Sequence, residues 1–208
     1  IKAGQVSIGV GLAAALPAVS IGTLLGATAG YFGGRVNDVL EWVYNVFTSV
    51  PYILLVLAFA AVLGKGISTV ILVLGLTGWT GCYRLIRSEY IKQRSREYVE
   101  AAGAIGASTP RIMFSHILPN VSHLILVQLS QLVVEFIKAE VILSFLGFGV
   151  PVELISWGSM IIEVLSELVL GKWWQLATTA LLMSTFVVAF GLFTDVLRDA
   201  LDPKMKRN

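Results

Sequence analysis

Three ionisable residues, Glu135, Lys138 and Glu140, lie within an otherwise apolar stretch of this 208-residue chain. A charge in lipid is costly unless it pairs with another group or faces water. Glu135 and Lys138 are three positions apart, so they can neutralise each other on one helix. Alternatively, their helix faces an aqueous path, where they and Glu140 would meet a zwitterion or a cation. Gln128 and Gln131 on the same helix would add polar lining to that path.

Catalytic and metal-binding patterns are weak by comparison. His116 and His123 are seven positions apart and no acidic or thiol ligand accompanies them, which disfavours a metal site. No Gly-x-x-x-x-Gly-Lys-Ser/Thr loop occurs, so we expect this chain to bind no ATP. No nucleophile and base are arranged as an intramembrane hydrolase needs. The single cysteine, Cys82, lies in an apolar stretch and is interpreted as a packing residue.

The elements that position these residues are predicted to cross a membrane. Hydrophobic residues make up 56% of the chain and charged residues 13%, which excludes a soluble core. The net charge of +2 provides no basic surface for nucleic acid. Since a helix needs about 20 apolar residues to cross a bilayer, the charge-free stretches predict a bundle of five spans. Their approximate bounds are 6–30, 39–63, 67–86, 121–146 and 174–197.

The distribution of Lys and Arg predicts the orientation, because short cytoplasmic loops are enriched in these residues. Eleven lie on one side of the five-span arrangement and three on the other. We therefore expect residues 84–120 and the C-terminus to be cytoplasmic, and residues 147–173 to be extracytoplasmic. Because the sequence starts with Ile1 rather than Met, we expect it to be N-terminally incomplete. One further upstream helix would give six spans with both ends inside.

Other features concern packing and the membrane boundary. In the first span, small residues recur every four positions and predict close approach by another helix: Ala14, Ala18, Gly22, Gly26, Gly30 and Gly34. Pro151 is expected to end the fourth span, and residues 157–168 to form a short interfacial or re-entrant helix. Trp173 and Trp174 open the last span, where indole rings favour the headgroup boundary.

Residues 84–120 are more elaborate than a connector between two spans needs to be. Residues 97–107 are rich in helix formers, and Gly106 near their end fits a left-handed helix cap. A first short helix is therefore predicted in this loop, followed by a bend.

A second short helix is predicted directly after that bend. Ser108 or Thr109 can cap it, with Pro110 at its first helical position. It is expected to run to Leu118, and Pro119 to break it and act as a joint to the fourth span. Two short helices joined by a bend form a compact cytoplasmic knob suited to docking a partner.

The spacing within this loop resembles a known signature. Glu100-Ala101-Ala102, Gly106 and Leu118-Pro119 keep the order Glu-Ala-Ala, three residues, Gly, nine residues, Ile, one residue, Leu-Pro. That is the cytoplasmic signature of the permease subunits of binding-protein-dependent ABC importers. His116 stands at the Ile position, and the run His116–Asn120 resembles the dipeptide, oligopeptide and nickel branch. Further resemblance comes from residues 143–149, 156–158 and 197–203.

The resemblance implies that residues 1–208 are one all-helical permease domain, which forms half of a translocation pathway for peptides or nickel. It implies a second homologous permease, identical or paralogous, and two cytoplasmic ATP-binding subunits that hold ATP and Mg. It also implies an extracytoplasmic substrate-binding protein. The chain itself would carry no cofactor, bind no nucleic acid and lie among the lipids of a prokaryotic plasma membrane. The implied ATPase-coupling residues are Glu100, Ala101, Ala102, Gly106, His116, Leu118 and Pro119.

Individual roles in the loop follow from residue type. Ala101 and Ala102 would permit close approach to the ATPase, Gly106 would permit the bend, and Glu100 would offer a charge. The alternative for Glu100 is a solvated i,i+4 pair with Arg96.

The translocation path and the competing functions stay open at this point. Glu140 would meet the amino group of a peptide or a metal cation. A secondary transporter or channel is the runner-up function, followed by a membrane-embedded enzyme. A secondary carrier would have discontinuous spans and work without ATP.

Overall fold

The computed structural model describes residues 2–151 and 154–201, and every regular element within them is helical. The predicted all-helical fold class is therefore confirmed. The elements are α1 (Lys2–Phe32), α2 (Gly34–Thr48), α3 (Tyr52–Leu63), α4 (Ile67–Thr77), α5 (Thr80–Arg94), α6 (Glu97–Ala104), α7 (Thr109–Arg111), a π-helical segment (Ile112–Ile117), α8 (Leu118–Phe145), α9 (Trp157–Val169) and α10 (Trp173–Leu201).

Membrane-length helices make up most of the described chain. Four stretches are long and apolar enough to cross a bilayer: Lys2–Phe32, Ile67–Arg94, Thr109–Phe145 and Trp173–Ala200. A fifth is added if α2 and α3 are counted as one bent span. The chain is therefore a multi-pass membrane protein, as the hydropathy predicts.

The second predicted span, residues 39–63, is not one continuous helix. Helices α2 and α3 are bent by 83° at the break between them. Pro51, which precedes α3, lacks a backbone N–H and disfavours helical geometry at Val50. No residue of α2, all of which the structure describes, is buried within the chain. The prediction of a straight span is corrected to a broken one.

Helix α1 is the centre of the bundle and packs along α4, α5 and α8. A Cβ on Gly22, Gly26 or Gly30 would lie within 2.7 Å of a backbone carbonyl oxygen on or next to α5. Only glycine therefore permits this approach, and the packing interpretation of the small-residue ladder is confirmed there. Gly34, by contrast, begins α2 and is exposed. Cys82 is fully buried in the same interface, as expected of a packing residue.

Helix α8 is continuous with the turns that precede it, in a stretch of 37 residues. The prediction that Pro119 breaks the helix is therefore wrong. Leu118 donates its backbone N–H to the carbonyl oxygen of Met113, which is an i to i−5 bond of the π type. The side chain of Asn120 donates to the carbonyl oxygen of His116 at 2.8 Å. Such bonds re-satisfy groups near a proline, so a π-helical segment joins the loop to α8.

The far end of α8 is set by a glycine rather than by Pro151. Gly147 has a φ of +83°, and Phe148 donates its backbone N–H to the carbonyl oxygen of Leu143 at 2.8 Å. This is a left-handed cap of the Schellman type. Helix α8 therefore ends at Phe145, and the prediction that Pro151 ends it is corrected.

Helix α9 packs on α1, α8 and α10, at the end of the bundle where α1 begins and α8 ends. It confirms the short helix predicted over residues 157–168. A capping box of Ser156 and Ser159 starts it, and the Trp157 ring lies 5.5 Å from that of Phe186 on α10. Trp173 and Trp174 are exposed at the start of α10.

Polar contacts hold α2 at the end of the bundle opposite α9. The carboxylate of Glu41 accepts a hydrogen bond from the Tyr83 hydroxyl at 3.1 Å and pairs with Arg87 at 3.1 Å. Arg87 also donates to the side-chain oxygen of Asn37 at 2.6 Å. These contacts hold α2 against α5, so that α3 begins beside the junction of α4 and α5.

Candidate functional sites: an exposed loop and an intramembrane groove

Helix α6, the first half of the loop between α5 and α8, has a buried face and an exposed face. Val99 and Ala102 are buried against the rest of the chain. Glu100 and Ala101 are exposed, and the Ile105 side chain is 87% exposed. Ala102 therefore packs within its own chain whereas Ala101 faces outward, and the role of both in docking stays a prediction. The outer face combines small residues with the Glu100 carboxylate and the large apolar side chain of Ile105.

The bend after α6 is a Schellman cap centred on Gly106. Gly106 has a φ of +83°, and its N–H donates to the carbonyl oxygen of Gly103 at 3.0 Å. The N–H of Ala107 donates to the carbonyl oxygen of Ala102, also at 3.0 Å. The predicted left-handed cap at Gly106 is confirmed, and a Cβ added there would meet nothing within 4 Å.

The second half of the loop is fastened to the bundle. Ser108 is the N-cap residue of α7, and Pro110 follows within its first two positions. Met113 and Ile117 of the π-helical segment are buried, and the Tyr90 hydroxyl of α5 donates to the carbonyl oxygen of Met113 at 3.0 Å. The loop is therefore bonded to α5 and continuous with α8.

The other residues assigned to coupling lie in different environments. His116 and Leu118 are half-buried, whereas Pro119 is exposed. Among the residues that the structure describes, Glu100 forms no ion pair with Arg96. Glu100 instead lines a cavity of about 530 Å³ whose other polar residues are Asn37, Arg87, Arg94 and Ser95.

A groove of about 700 Å³ lies between the start of α3, the junction of α4 with α5, and one face of α8. Its polar lining consists of Tyr52, Thr80, Gln128, Glu135 and Lys138. The junction places glycine at residue 78 because a Cβ there would collide with the Phe136 ring of α8. Three of the five polar residues predicted on this helix therefore share one cavity.

Glu135 and Lys138 also face a second cavity, of about 380 Å³, between α8 and α10. It brings them together with Gln131, Thr194 and Asp195. Across the described ranges, no ion pair within 4.0 Å joins Glu135 to Lys138. The mutual neutralisation considered from the sequence is therefore not observed, and both charges face open space.

Tyr52, Thr80 and Asp195 are site residues that the sequence reasoning missed. Asp195 lies inside the predicted last span, directly after its charge-free stretch, and nothing in the local sequence indicates that it faces α8. Tyr52 and Thr80 carry no signal in the sequence beyond their polarity. Only the bend before α3 and the break before α5 place them opposite α8.

Glu140 lines neither of these two cavities. Its side chain is fully buried and accepts hydrogen bonds from the hydroxyls of Ser7 and Ser144, each at 2.7 Å. Five positions separate Glu140 from Glu135, which is about 140° around a helix. The expectation that Glu140 faces the same path as Glu135 is corrected accordingly.

Comparison with known proteins identifies the family. Residues 22–207 match the family described as the binding-protein-dependent transport system inner membrane component. The chain belongs to this family. The resemblance seen in the loop residues is therefore confirmed over most of the chain.

Relatives with curated names are similar to the chain over nearly its whole length. It is 38% identical to the dipeptide transport system permease protein DppC of Bacillus subtilis (strain 168), over 98% of this chain and 63% of the relative. It is 36% identical to the oligopeptide transport system permease protein OppC of the same organism, over 98% and 66%. The chain thus spans a little under two thirds of the length of these relatives.

Solved structures share the fold at low sequence identity. An inward-facing methionine ABC transporter, MetNI, aligns with a TM-score of 0.76 and 15% identity, over 96% of this chain and 94% of that one. An amino acid ABC transporter with histidines aligns with a TM-score of 0.72 and 15% identity, over 97% and 93%. The chain therefore shares its fold with these two transporter structures.

Proposed function

We propose that this chain is a permease subunit of an ATP-driven importer and forms half of a translocation pathway for peptides. Membership of the transport family and similarity to dipeptide and oligopeptide permeases support this class. The observation that carries the proposal is the exposed α6 face with the Glu100 to Pro119 spacing, fastened to both α5 and α8.

The partners follow from that assignment. Residues 84–120 and the C-terminus lie in the cytoplasm, where two ATP-binding subunits dock on the loop and hold the ATP and Mg. The docking face is formed by Glu100, Ala101, Ile105 and Gly106, which the chain leaves exposed. A second homologous permease completes the pathway, and an extracytoplasmic binding protein delivers the substrate.

The groove between α3, α5 and α8 is the section of the pathway that this chain contributes. Glu135 and Lys138 place opposite charges in one cavity, and each can meet one terminus of a zwitterionic peptide. A bare nickel ion is less well matched, because the Lys138 ammonium in the same space would repel it. The geometry therefore favours a peptide over a free metal cation.

A secondary transporter is the competing function. The presence of irregular spans does not distinguish it from an ATP-driven importer. The bent α2–α3 pair and the short break before α5 are the kind of discontinuity that secondary carriers also have. The energy source is what distinguishes them.

Reconstitution of the full-length protein with its candidate partners tests the proposal. Proteoliposomes containing both permeases and both ATPases are loaded with ATP and Mg, and uptake of a labelled dipeptide is measured with ionophores present. We expect uptake that requires ATP and the binding protein. Uptake that persists without ATP and collapses with the ionophores would instead establish a secondary carrier.

A further inference from the structure

A buried polar cluster joins α1 and α8 at the end of the bundle opposite the loop. One carboxylate oxygen of Glu140 accepts a hydrogen bond from the Ser7 hydroxyl of α1, and the other accepts from the Ser144 hydroxyl of α8. All three side chains are buried. Because a buried carboxylate is costly without donors, this cluster forms only while both serines point toward it.

Each serine also holds a backbone group from the connection between α8 and α9. The N–H of Val150 donates to the Ser144 hydroxyl oxygen, and the N–H of Trp157 donates to the Ser7 hydroxyl oxygen, both at 3.2 Å. Val150 and Trp157 stand on either side of residues 152 and 153, which lie outside the described residues. The Glu140 carboxylate therefore holds this connection at two points, because each serine that donates to it also accepts a backbone N–H.

The packing around the cluster admits only small residues. A Cβ on Gly149 or Gly158 would collide with Ser144, and a Cβ on Gly4 would lie 3.0 Å from the Trp157 ring. The two sequence blocks at residues 143–149 and 156–158 thus pack against each other at Ser144. The first block supplies Ser144, both blocks supply the glycines that leave space, and Ser7 comes from α1.

We propose that Glu140 is a positioning residue that locks the connection after α8, and the start of α9, to the α1–α8 pair. The same helix α8 carries Glu135 and Lys138, five and two residues before Glu140, which is about one and a half turns and about half a turn away. A movement of α8 that reshapes the groove therefore moves the surface formed by this connection. The functional part of this inference rests on the proposed function, whereas the structural part does not.

A carboxylate suits this role better than an amide. Both of its oxygens accept, so both serine hydroxyls can donate to it while accepting a backbone N–H. In Glu140→Gln one of the two oxygens is replaced by an NH₂ group, which donates. One serine hydroxyl then loses its acceptor, and at least one of the two fastening points is weakened.

Amide hydrogen exchange, resolved to single residues in lipid nanodiscs, tests the lock directly. The variants are Ser7→Ala, Ser144→Ala and Glu140→Gln. The matched controls are Ser20→Ala on α1 and Ser130→Ala on α8, whose hydroxyls each donate to a carbonyl oxygen four residues earlier on the same helix.

The expected pattern is specific to each serine. Ser7→Ala should speed exchange at Trp157 roughly tenfold and leave Val150 unchanged, and Ser144→Ala should do the reverse. Glu140→Gln should speed exchange at one or both of these amides, and the control variants should change exchange at neither. Unchanged exchange at both amides in all three variants, or equal acceleration throughout the bundle, would overturn the proposal.

Transport by the reconstituted complex supplies a second readout. The three variants should raise the concentration of loaded binding protein needed for half-maximal uptake, while the ratio of ATP hydrolysed to substrate moved stays at the wild-type value. A fall in maximal uptake with unchanged half-saturation would assign Glu140 to structure alone and contradict the positioning role. If wild-type complex shows no ATP-driven uptake, the proposed function fails and the exchange pattern still decides the lock.

Discussion

Glu135 and Lys138 lie three residues apart on α8, yet the side chain of each lines the cavities beside this helix. Both residues are exposed to open space within the bundle and lie outside ion-pair distance of each other in the described structure. A charge at membrane depth is tolerated when it faces a polar, hydrated space. On the proposed function, we therefore expect these two side chains to have a use in the pathway that is separate from mutual neutralisation.

Substitution of each charge tests that use. Glu135→Gln and Lys138→Met should each raise the KM for a zwitterionic dipeptide about tenfold, since each removes one charge-assisted contact. The double variant should show the two losses combined, because the groups are not each other's partner. Lys65→Met, at an exposed lysine in the α3–α4 turn, is the control. A double variant that transports better than either single one would show an ion pair instead.

The sequence revealed which charges are unusual but not which way they face. Glu140 stands in the same apolar run as Glu135, and only the fold shows that Ser7, 133 positions earlier, is its partner. Asp195 stands near the end of its predicted span, and only the fold places it beside Glu135 and Lys138. Tertiary partners so distant in sequence leave no local pattern, so the site could be predicted only in part.

At the scale of elements, the sequence predicted best where one helix face alone decides the outcome. The four-residue spacing of small residues in α1 correctly predicted a close helix contact, and Gly106 correctly predicted a left-handed cap. The effect of a proline on its helix was harder to predict from the sequence. Pro51 bends a predicted span, whereas Pro119 is accommodated in a continuous helix because the preceding π-helical turn and Asn120 supply other hydrogen bonds.

The α1–α5 contact yields a prediction with an internal control. Gly26→Ala should destabilise the folded protein by about 1 to 3 kcal/mol, because the new methyl group would lie 2.7 Å from the Tyr83 carbonyl oxygen. Gly9→Ala on the same helix meets nothing within 4 Å and should be neutral or stabilising by up to about 1 kcal/mol. Unfolding in mixed micelles measures both. Equal stabilities for the two variants would contradict the packing account.

At the scale of the whole molecule, hydropathy and loop charge predict a bundle whose two ends have different roles. The loop of α6 and α7 lies at one end, and the Glu140 cluster with α9 lies at the other. The fold class and family were accessible from sequence because both depend on long apolar runs and on a spaced signature. One continuous helix from Thr109 to Phe145 connects the two ends. This continuity could not be predicted from the sequence.

The orientation of the two ends is directly measurable. Single cysteines at Ser95 and Val169, both exposed positions, are introduced in a Cys82→Ala background. An impermeant maleimide should label residue 169 in intact cells and residue 95 only after the membrane is opened, because the basic loop is expected in the cytoplasm. Labelling of both from outside would refute the assigned topology.

The central claim is that the α6 loop couples ATP hydrolysis on partner subunits to movement of α8. Its most direct test is the ratio of peptide transported to ATP hydrolysed by reconstituted complexes carrying Gly106→Leu or Gly64→Leu. Both glycines have positive φ, and a Cβ at either would meet nothing within 4 Å. Gly64 has a ψ of −177°, in a region that is essentially confined to glycine, so Gly64→Leu bears at least as much backbone strain as Gly106→Leu. We predict that Gly106→Leu assembles and hydrolyses ATP but loses most transport per ATP, whereas Gly64→Leu keeps the wild-type ratio. A wild-type ratio in Gly106→Leu would contradict the account.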